Sequence, residues 1–416
     1  MDVIVVGAGP AGSMAAKAAA EAGFTVTVYE KGPLKREKPC GGGVSDRVEK
    51  EFHLKESDNF WERYCEGIFL CSPDNETVFL KDEQNGRGFL VMRETFDYYL
   101  VQKAQKEGAE FVENRRVTPF VEHGKVKGVK TKDGPVKADI VIACDGTPST
   151  FARELGIYTP NGYNQAVTYQ YQMKMDNTEI DEKIGDAMEI YFGHKWAPYG
   201  YSWIFPKQGK VTVGCGTWLY AVKKTKANLK KCLDIFIAQH PVASKKLENA
   251  EVLYLQSGKM GFSGIVTTIY LDNFMLAGDA AGFVSVPTGE GIYYSMVTGK
   301  IAGEVAATAL KHNDTTKHSL KKYKQKTDRK IGSDMKWGYW LRRLVMDNER
   351  NQERLIQASL KDQWIYDMTG RLISGHIGYI QFLIAFLKRP DKLVKIAPGA
   401  SLWYKRQEDI VQARMP

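Results

Sequence analysis

Three glycines near the N-terminus have the spacing of a loop that binds phosphate groups. Gly7 permits a tight turn, Gly9 has no side chain that would block a pyrophosphate, and Gly12 allows a helix to pack closely on a strand. Glu30 lies about 20 residues further on, where its carboxylate can accept both hydroxyls of an adenosine ribose. These residues predict a dinucleotide site, and the alternative is a strand–turn–helix unit without a ligand.

A second group of residues, late in the chain, decides between a flavin and a nicotinamide. Asp279 follows a short apolar strand and suits a hydrogen bond to the ribityl chain of a flavin. Gly291 and Ile292 begin the next helix, whose N-terminal dipole can stabilise negative charge at the N1/O2 edge of a reduced flavin. Because a nicotinamide dinucleotide needs no such second site, the two groups together predict FAD.

The elements that must position these residues can be predicted from the hydrophobic pattern. Residues 2–6 form a buried strand, residues 13–22 an alanine-rich helix, and residues 25–29 a second strand that ends at Glu30. The glycine loop therefore joins the first strand to the first helix of a βαβ unit. From about residue 163 to residue 260 the pattern changes to the alternation that is typical of antiparallel strands.

These patterns predict an α/β protein (α+β overall) with a Rossmann-like FAD-binding domain, an antiparallel-sheet substrate domain and a helical C-terminal region. The predicted boundaries follow the changes in pattern along the chain. They are 1–160 for the first part of the FAD-binding domain with inserted strands at about 60–90, 161–260 for the substrate domain, 261–310 for the second part of the FAD-binding domain, and 311–416 for the helical region.

Composition excludes several classes of protein. The 416 residues are 43% hydrophobic and 26% charged, which rules out wholesale disorder. No apolar run reaches the roughly 18 residues that a membrane-spanning helix needs, and the longest, Ile377 to Leu387, contains Gln381. The six cysteines lack the spacing of zinc or thioredoxin motifs, so no structural metal is expected. Without a secretory signal pattern, we expect a cytoplasmic protein with reduced thiols.

The positive charge of the chain is concentrated at its C-terminal end. Between Lys311 and the C-terminus there are 22 Lys and Arg against 11 Asp and Glu, in a chain whose net charge is +9. The same region contains Trp337, Trp340, Trp364 and Trp403. Such a region could face acidic lipid headgroups at the inner face of the cell membrane, or it could be an ordinary solvated helical surface. Nucleic-acid binding is not expected, because no recognition motif accompanies the charge.

Four motifs in a fixed order carry a resemblance to a known superfamily. The glycine loop with Glu30, Arg93 ahead of Phe96-Asp97, the pair Asp145-Gly146 and the pair Gly278-Asp279 together resemble the para-hydroxybenzoate-hydroxylase-like flavoproteins, over about residues 3–310. The resemblance implies an FAD-binding fold. The flavin contacts that the motifs and the resemblance together imply are Gly7, Gly9, Ala11, Gly12, Glu30, Lys31, Arg93, Val117, Asp279, Gly291 and Ile292.

Two further segments narrow the resemblance. The loop Lys38-Pro39-Cys40-Gly41-Gly42-Gly43-Val44-Ser45 is similar to the cysteine–glycine loop of the geranylgeranyl reductase family, which includes archaeal lipid reductases. The segment Pro198 to Lys207 and the following Gly214-Cys215-Gly216 resemble the aromatic strand motif of that family. Membership would imply reduction of isoprenoid double bonds of a membrane lipid precursor.

Cys40 is the candidate catalytic residue for such a reaction. An isolated alkene needs a hydride on one carbon and a proton on the other, and water must be excluded. Reduced flavin supplies the hydride, and a thiol in a glycine-rich loop could place the proton donor. In the alternative, Cys40 is only a small residue of a loop whose backbone binds the flavin, and Gly41 and Gly43 make backbone contacts to FAD in either case.

Aromatic residues on the predicted sheet are the candidate substrate wall. Residues two apart on a strand point to the same face, so they could line an apolar tunnel for an isoprenoid chain. The alternative is an ordinary aromatic sheet core. The four candidates are Tyr201, Trp203, Phe205 and Trp218.

The sequence predicts a flavin-dependent prenyl reductase with a prenylated lipid substrate. Its electron donor could be ferredoxin or NAD(P)H. Two other functions stay open at this point: an FAD-dependent aromatic hydroxylase of the same superfamily, which would insert oxygen, and a non-catalytic lipid-carrying or electron-relay flavoprotein. For the C-terminal apolar stretch, the alternative to contact with a membrane is that it caps the substrate cavity.

Overall fold

The structure is a computed structural model that describes residues 1–54, 56–81, 88–159, 161, 163, 165–261 and 264–398. Trp403, one of the four C-terminal tryptophans, lies outside the described residues. Within the described part of the chain, two sheets of different architecture are joined by smaller sheets and followed by a helical region. The α/β class with an additional antiparallel sheet, predicted from the sequence, is confirmed.

The strands are numbered β1 to β19 along the chain. Most are short, and the three longest, β13, β16 and β17, lie between residues 165 and 261. Their bounds are Val3–Val6, Val26–Tyr29, Gly43–Val44, Arg63–Cys65, Gly67–Cys71, Thr77–Leu80, Gly88–Leu90, Glu110–Val112, Thr118–Glu122, Lys125–Thr131, Gly134–Lys137, Ile140–Ala143, Gln165–Lys174, Ala187–Tyr191, Tyr201–Lys207, Lys210–Trp218, Glu251–Gly261, Tyr270–Leu271 and Phe274–Leu276.

The α-helices are numbered α1 to α15 in the same way. They become frequent after Ile292, where helices follow one another without intervening strands. Their bounds are Pro10–Glu21, Asp46–Phe52, Arg93–Lys106, Thr150–Glu154, Asn177–Lys183, Leu219–Thr225, Leu229–Gln239, Ala243–Lys246, Ile292–Lys311, Lys317–Thr327, Ser333–Val345, Glu349–Lys361, Gln363–Ile373, Tyr379–Leu387 and Pro390–Ile396.

The first sheet has six strands in the order β18-β19-β12-β1-β2-β8. All neighbours in it are parallel except β18 and β19. Residues of β1, β2 and β12 are buried without exception. Burial on both faces explains why β1 and β12 are continuous apolar runs rather than alternating ones, with Thr27 of β2 as the one polar residue of the three strands. This sheet brings the carboxyl ends of β1, β12 and β19 to one edge.

Helices α1 and α9 pack closely beside this sheet because glycines remove side chains from their contact. A Cβ on Gly299 would lie 2.0 Å from the Ala11 carbonyl oxygen, and a Cβ on Gly303 would lie 2.3 Å from the Ala15 carbonyl oxygen. Neither distance is compatible with a side chain. The start of α9 is therefore held next to the start of α1.

The second large sheet has seven strands in the order β17-β13-β16-β15-β14-β5-β6. Its neighbours are antiparallel except β14 and β5, which are parallel. The strands β5 and β6 fall within the segment 60–90 that the sequence pattern placed as an insertion in the first domain. They instead extend this sheet, because the pairing of β5 with β14 joins segments more than 100 residues apart, which local pattern does not encode.

The C-terminal helices α11 to α15 form a cluster that covers one end of the second sheet. Helices α12 and α13 contact β6, and Ile356 of α12 is buried among apolar residues of β5 and β6. The cluster has its own core, to which Ile365 and Phe386 contribute. No helix within the described residues is long and apolar enough to span a bilayer.

Candidate active site

A cavity of about 250 Å³ lies at the edge where β1, β12 and β19 end. Its lining includes Gly9 after β1, Cys144 after β12 and Asp279 after β19. Parallel sheets bind ligands outside the carboxyl ends of their strands. The opposite wall of the cavity is formed by the second large sheet, so the two sheets enclose one space.

The glycine loop gives the cavity an end that fits phosphate groups. Apart from Gly9 and its two chain neighbours, no atom of the described residues lies within 4 Å of the position that a Cβ on Gly9 would occupy, so this face of the loop is open. A Cβ on Gly12 would lie 1.8 Å from the Gly7 carbonyl oxygen, so Gly12 serves the packing of α1 on β1. Ala11 also lines the cavity, in the first turn of α1. The open backbone at a helix N-terminus fits an anionic dinucleotide.

The acidic residue predicted to hold the ribose lies at the end of β2. The Glu30 side chain is buried, and its carboxylate accepts a hydrogen bond from the Ala8 amide at 2.8 Å and one from Arg36 at 3.3 Å. This pairing keeps the carboxylate beside the glycine loop. Glu30, Gly7, Gly12, Lys31 and Val117 do not line the cavity itself: Lys31 is exposed and Val117 is buried.

Arg93 is the first residue of α3 and points a buried guanidinium at the cavity. Its Nε and Nη2 donate to the two carboxylate oxygens of Asp97, at 2.7 and 2.8 Å. Asp97 is fully buried, so the pair compensates a charge that would otherwise be costly inside the protein. The Arg-x-x-x-Asp spacing of one helical turn produces this geometry.

Asp279, Gly291 and Ile292 come together in the cavity although they lie in different elements. Asp279 sits in the short 3₁₀ helix Gly278–Ala281, and its Oδ1 accepts a hydrogen bond from Ser295 at 3.2 Å. A Cβ on Gly291 would lie 3.2 Å from the same oxygen. The carboxylate therefore lies at the N-terminal end of α9, next to a backbone without a side chain.

The loop that contains Cys40 crosses the middle of the cavity. The Gly42 amide donates to the Cys40 Sγ at 3.3 Å, and the Gln170 side chain donates to the Cys40 carbonyl at 3.3 Å. A Cβ on Gly41 would lie 2.7 Å from the Phe205 ring, and Gly42 has a φ of +79°. Larger residues would displace the loop from the aromatic wall. Cys40, Gly41 and Gly43 all line the cavity.

The predicted aromatic wall lines the same cavity on the second sheet. The Tyr201 hydroxyl donates to the Thr288 carbonyl at 2.6 Å. The Trp203 Nε1 is buried and has no hydrogen-bond partner among the described residues. Trp203 lies over Gly214, where a side chain would overlap its ring. The wall consists of Tyr201, Trp203 and Phe205 from β15 and Trp218 from the end of β16.

A second cavity, of about 90 Å³, continues from the first toward the C-terminal helices. Tyr201, Ile190, Met346 and Ile373 line both cavities. The remaining lining of the second cavity is almost entirely aliphatic and aromatic and comes mostly from α11 to α15. A long apolar ligand at the aromatic wall can therefore extend into the helical cluster.

Several polar residues at the site are absent from the sequence-based prediction, and three of them lie around the Cys40 loop. Lys38 and Gln170 line the cavity on either side of Cys40. Lys207 ends β15 and donates to the Gly41 carbonyl. The alternation that identifies Tyr201, Trp203 and Phe205 also includes Lys207, so the same pattern could have found it. No local signal marks Gln170, because strand pairing brings it to the loop.

Protein-family models match two parts of the chain. A model described as the geranylgeranyl reductase catalytic domain matches residues 165–259, which contain most of the second sheet. A model described as an NAD(P)-binding Rossmann-like domain matches residues 5–61, which contain the glycine loop and Cys40. The two matches fall on the two walls of the cavity.

Two archaeal relatives are similar over most of the chain. A digeranylgeranylglycerophospholipid reductase of Methanocaldococcus jannaschii is 34% identical over 329 residues, which cover 78% of this chain and 81% of that protein. A digeranylgeranylglycerophospholipid reductase of Methanoculleus marisnigri is 31% identical over 388 residues, which cover 89% and 94%. The similarity therefore extends well beyond the glycine loop.

Solved structures share the same fold. A geranylgeranyl bacteriochlorophyll reductase-like protein from Thermoplasma acidophilum superposes with a TM-score of 0.80 at 27% identity, over 93% of this chain and 98% of that one. A flavin-dependent brominase superposes with a TM-score of 0.72 at 20% identity, over 94% and 99%. The second similarity concerns the fold alone.

Proposed function

This chain belongs to the geranylgeranyl reductase family, and we propose that it is a flavin-dependent reductase that saturates the isoprenoid double bonds of a membrane lipid precursor. The substrate class is that named for its archaeal relatives, a digeranylgeranylglycerophospholipid. The observation that carries the proposal is a single cavity lined by the glycine loop, by the loop that bears the Cys40 thiol and by the aromatic wall.

The cofactor that we propose is FAD. A flavin mononucleotide would leave the glycine loop and Glu30 without a role, because these residues suit the adenosine half of a dinucleotide. The open face of Gly9 supports a pyrophosphate there, and Asp279 with Gly291 supports the ribityl chain and ring. Extraction of the bound cofactor followed by chromatography should yield FAD, and release of the mononucleotide alone would refute this assignment.

The protein itself positions the substrate, excludes water from the cavity and supplies the proton. When bound, the reduced cofactor supplies the hydride. The Gly42 amide and Gln170 fix the Cys40 thiol in the cavity, where it can deliver a proton to the second alkene carbon. The aromatic wall excludes water and orients the chain, so that protonation occurs at the intended carbon.

The second cavity is the proposed space for the rest of the isoprenoid chain. Its lining is apolar, and it shares Tyr201 and Ile190 with the first cavity. A chain that slides along this space would present successive double bonds to the same thiol. A geranylgeranyl chain is long and apolar, so apolar space beyond the reacting double bond is what such a substrate requires.

Peripheral contact with a membrane is proposed for the C-terminal helices. On α14, Ile384 and Leu387 are 43% and 51% exposed although both are apolar. They are three residues apart and so share one face, and Lys388 and Arg389 follow directly. Exposed apolar residues beside cations are typical of helices that lie at a lipid surface. A substrate that resides in a bilayer makes such contact useful.

The test of the function is an anaerobic assay with a digeranylgeranylglycerophospholipid. Dithionite as reductant removes the need for a physiological donor, and parallel reactions with reduced ferredoxin or NADPH identify that donor. Mass spectrometry should show two hydrogens gained for each double bond reduced. Unchanged lipid with all three reductants would refute the proposal, and addition of an oxygen atom in air would favour a hydroxylase instead.

A further inference from the structure

Lys207 is a fully buried lysine directly behind the loop that contains Cys40. It is the last residue of β15, and it has no exposed surface. Its Nζ donates to the Gly41 carbonyl at 2.8 Å. No carboxylate lies within ion-pair distance of this amine in the part of the chain that the structure describes. A lysine buried without a carboxylate is rare, because an unpaired ammonium is costly inside a protein.

The surroundings make the amine easy to deprotonate. Burial lowers the pKa of Lys207 to about 7. The charged and titratable groups that face it are Cys40 in the loop, Glu62 and Cys65 near β4, which favour the charged amine, and Lys210 on β16, which disfavours it. The loss of solvation lowers the pKa of the amine by more than the three groups that favour the charged form raise it.

The amine also holds the part of the loop that sets the thiol. Gly41 directly follows Cys40, and Gly42 donates its amide to the Cys40 sulfur. On the other side of the loop the Gly42 carbonyl accepts the Val91 amide at 2.8 Å. The Gly41 carbonyl has Lys207 as its partner. A change at this amine therefore acts on the peptide next to the thiol.

We propose that Lys207 is a positioning residue for alkene reduction, a proton-sensitive clamp that holds the Gly41 carbonyl and thereby fixes the Cys40 thiol. The inference rests on the proposed function of Cys40. The charged amine donates more strongly to the carbonyl than the neutral amine does. Uptake or loss of a proton at Lys207 thus tightens or loosens the loop while the side chain stays buried.

The sequence offers a direct way to observe this contact. Gly41-Gly42-Gly43 contains the only Gly-Gly bonds in the chain. A deuterated holoprotein labelled with carbonyl ¹³C and amide ¹⁵N in glycine therefore gives two HNCO signals, one for the Gly41 carbonyl and one for the Gly42 carbonyl. The first should shift with pH around neutrality. The second, bonded to Val91, should shift much less and serves as an internal control.

The variants Lys207→Met and Lys207→Gln separate packing from protonation. Met keeps the length without a donor, and Gln keeps a donor that does not titrate. Both should abolish the pH-dependent shift of the Gly41 carbonyl. With Met we expect normal FAD content, faster alkylation of Cys40 by iodoacetamide and a roughly 10- to 100-fold lower kcat. Lys210→Met, on the neighbouring strand, should keep the kcat and a titrating Gly41 carbonyl signal. Its midpoint should move to slightly higher pH, because a cation that disfavours the charged amine is lost.

The outcomes decide between the proposal and its alternatives. A Gly41 carbonyl signal of the unchanged protein that stays constant from pH 5.5 to about pH 9 would overturn the clamp, whether or not the variants fold. An identical kcat and pH profile in Lys207→Met would do the same. If the carbonyl titrates but the lipid is never reduced, the clamp stands and the proposed function of the site fails.

Discussion

Single residues at this site are held by contacts that leave little freedom. Cys40 is bound through its sulfur by the Gly42 amide and through its carbonyl by Gln170. The absent side chain of Gly41 allows the loop to lie against Phe205. Such restraint suits a proton donor, which must stand at a defined distance from the reacting carbon.

Replacement of the thiol should separate binding from chemistry. Cys40→Ala removes the proton donor but keeps the glycine backbone, so FAD content should stay normal while the kcat for alkene reduction falls about 100-fold or more. Cys40→Ser, which keeps a weaker donor, should lie between. The measurements are flavin absorbance per protein and the rate of lipid reduction. An unchanged kcat in Cys40→Ala would limit Cys40 to a role in the loop backbone.

The lowered pKa of Lys207 predicts a specific dependence of the free energy of unfolding on pH. Its pKa is about 7 in the folded protein and about 10.4 when unfolded, so between these values the unfolded chain binds more protons. The free energy of unfolding should therefore rise with pH in this window, by up to about 4 kcal/mol between pH 7 and pH 10 relative to Lys207→Met. Urea unfolding of both proteins across this range measures it. A difference that does not vary with pH would contradict the prediction.

At the scale of residues, the sequence identifies those that belong to a repeating pattern. The glycine loop and the alternating aromatics are visible from their spacing, and Asp279 is visible because it follows a short apolar strand. Gln170 is different, since only the pairing of β13 with its neighbours brings it to Cys40. Lys207 belongs to the same alternating pattern as the aromatic residues. A lysine at the end of an apolar strand face, however, ordinarily indicates that the strand ends there and not that the lysine is buried.

At the scale of elements, the glycines at the start of α1 have two separate functions, one in ligand binding and one in helix packing. Gly9 faces open space, whereas Gly12 faces the Gly7 carbonyl oxygen at a distance too short for any side chain. The first glycine is therefore free to serve a ligand. The second glycine is required for the packing of the helix on β1.

Two substitutions should separate ligand binding from helix packing. Gly9→Asp places a negative side chain in open space, so the protein should fold without FAD. Gly12→Ala overlaps the Gly7 carbonyl, so the apoprotein itself should be destabilised by about 2 kcal/mol or more. Thermal unfolding of both apoproteins and titration with FAD provide the comparison. A destabilised Gly9→Asp apoprotein, or a Gly12→Ala apoprotein as stable as the unchanged one, would contradict this division.

Helix and strand types follow from periodicity, but strand partners do not. The βαβ unit at the N-terminus and the helix that begins at Ile292 agree with the hydrophobic pattern. The placement of β5 and β6 in the second sheet depends on a parallel contact with β14. That contact joins distant segments, and α12 and α13 pack against β6 beside it. The residues near 67–80 do not indicate any of these partners by their own pattern.

At the scale of the whole molecule, the C-terminal helices complete the apolar space. Their core residues close the second cavity, and their outer surface carries exposed apolar side chains. The sequence shows the positive charge and the apolar stretch of this region. It does not show the cavity, because the lining comes from several helices and three strands that meet only in the folded chain.

Membrane contact should depend on the exposed face of α14. Ile384→Asp combined with Leu387→Asp should reduce flotation with anionic vesicles about 10-fold or more, because both apolar contacts are lost and negative charge is added. Reduction of detergent-solubilised lipid should be unaffected. The matched control is Val252→Asp combined with Leu253→Asp on β17, which adds the same charge at two apolar residues that are 56% and 51% exposed. Equal loss of flotation in the control would show that charge alone, and not α14, determines binding.

The most direct test of the account is a single turnover under anaerobic conditions. The flavin of the purified protein is reduced with one equivalent of dithionite, and a digeranylgeranylglycerophospholipid is added. We predict that the oxidised flavin absorbance returns and that the lipid gains two hydrogens for each flavin reoxidised. A flavin that stays reduced beside an unchanged lipid would contradict the central claim that one cavity brings a reduced flavin and an isoprenoid chain together.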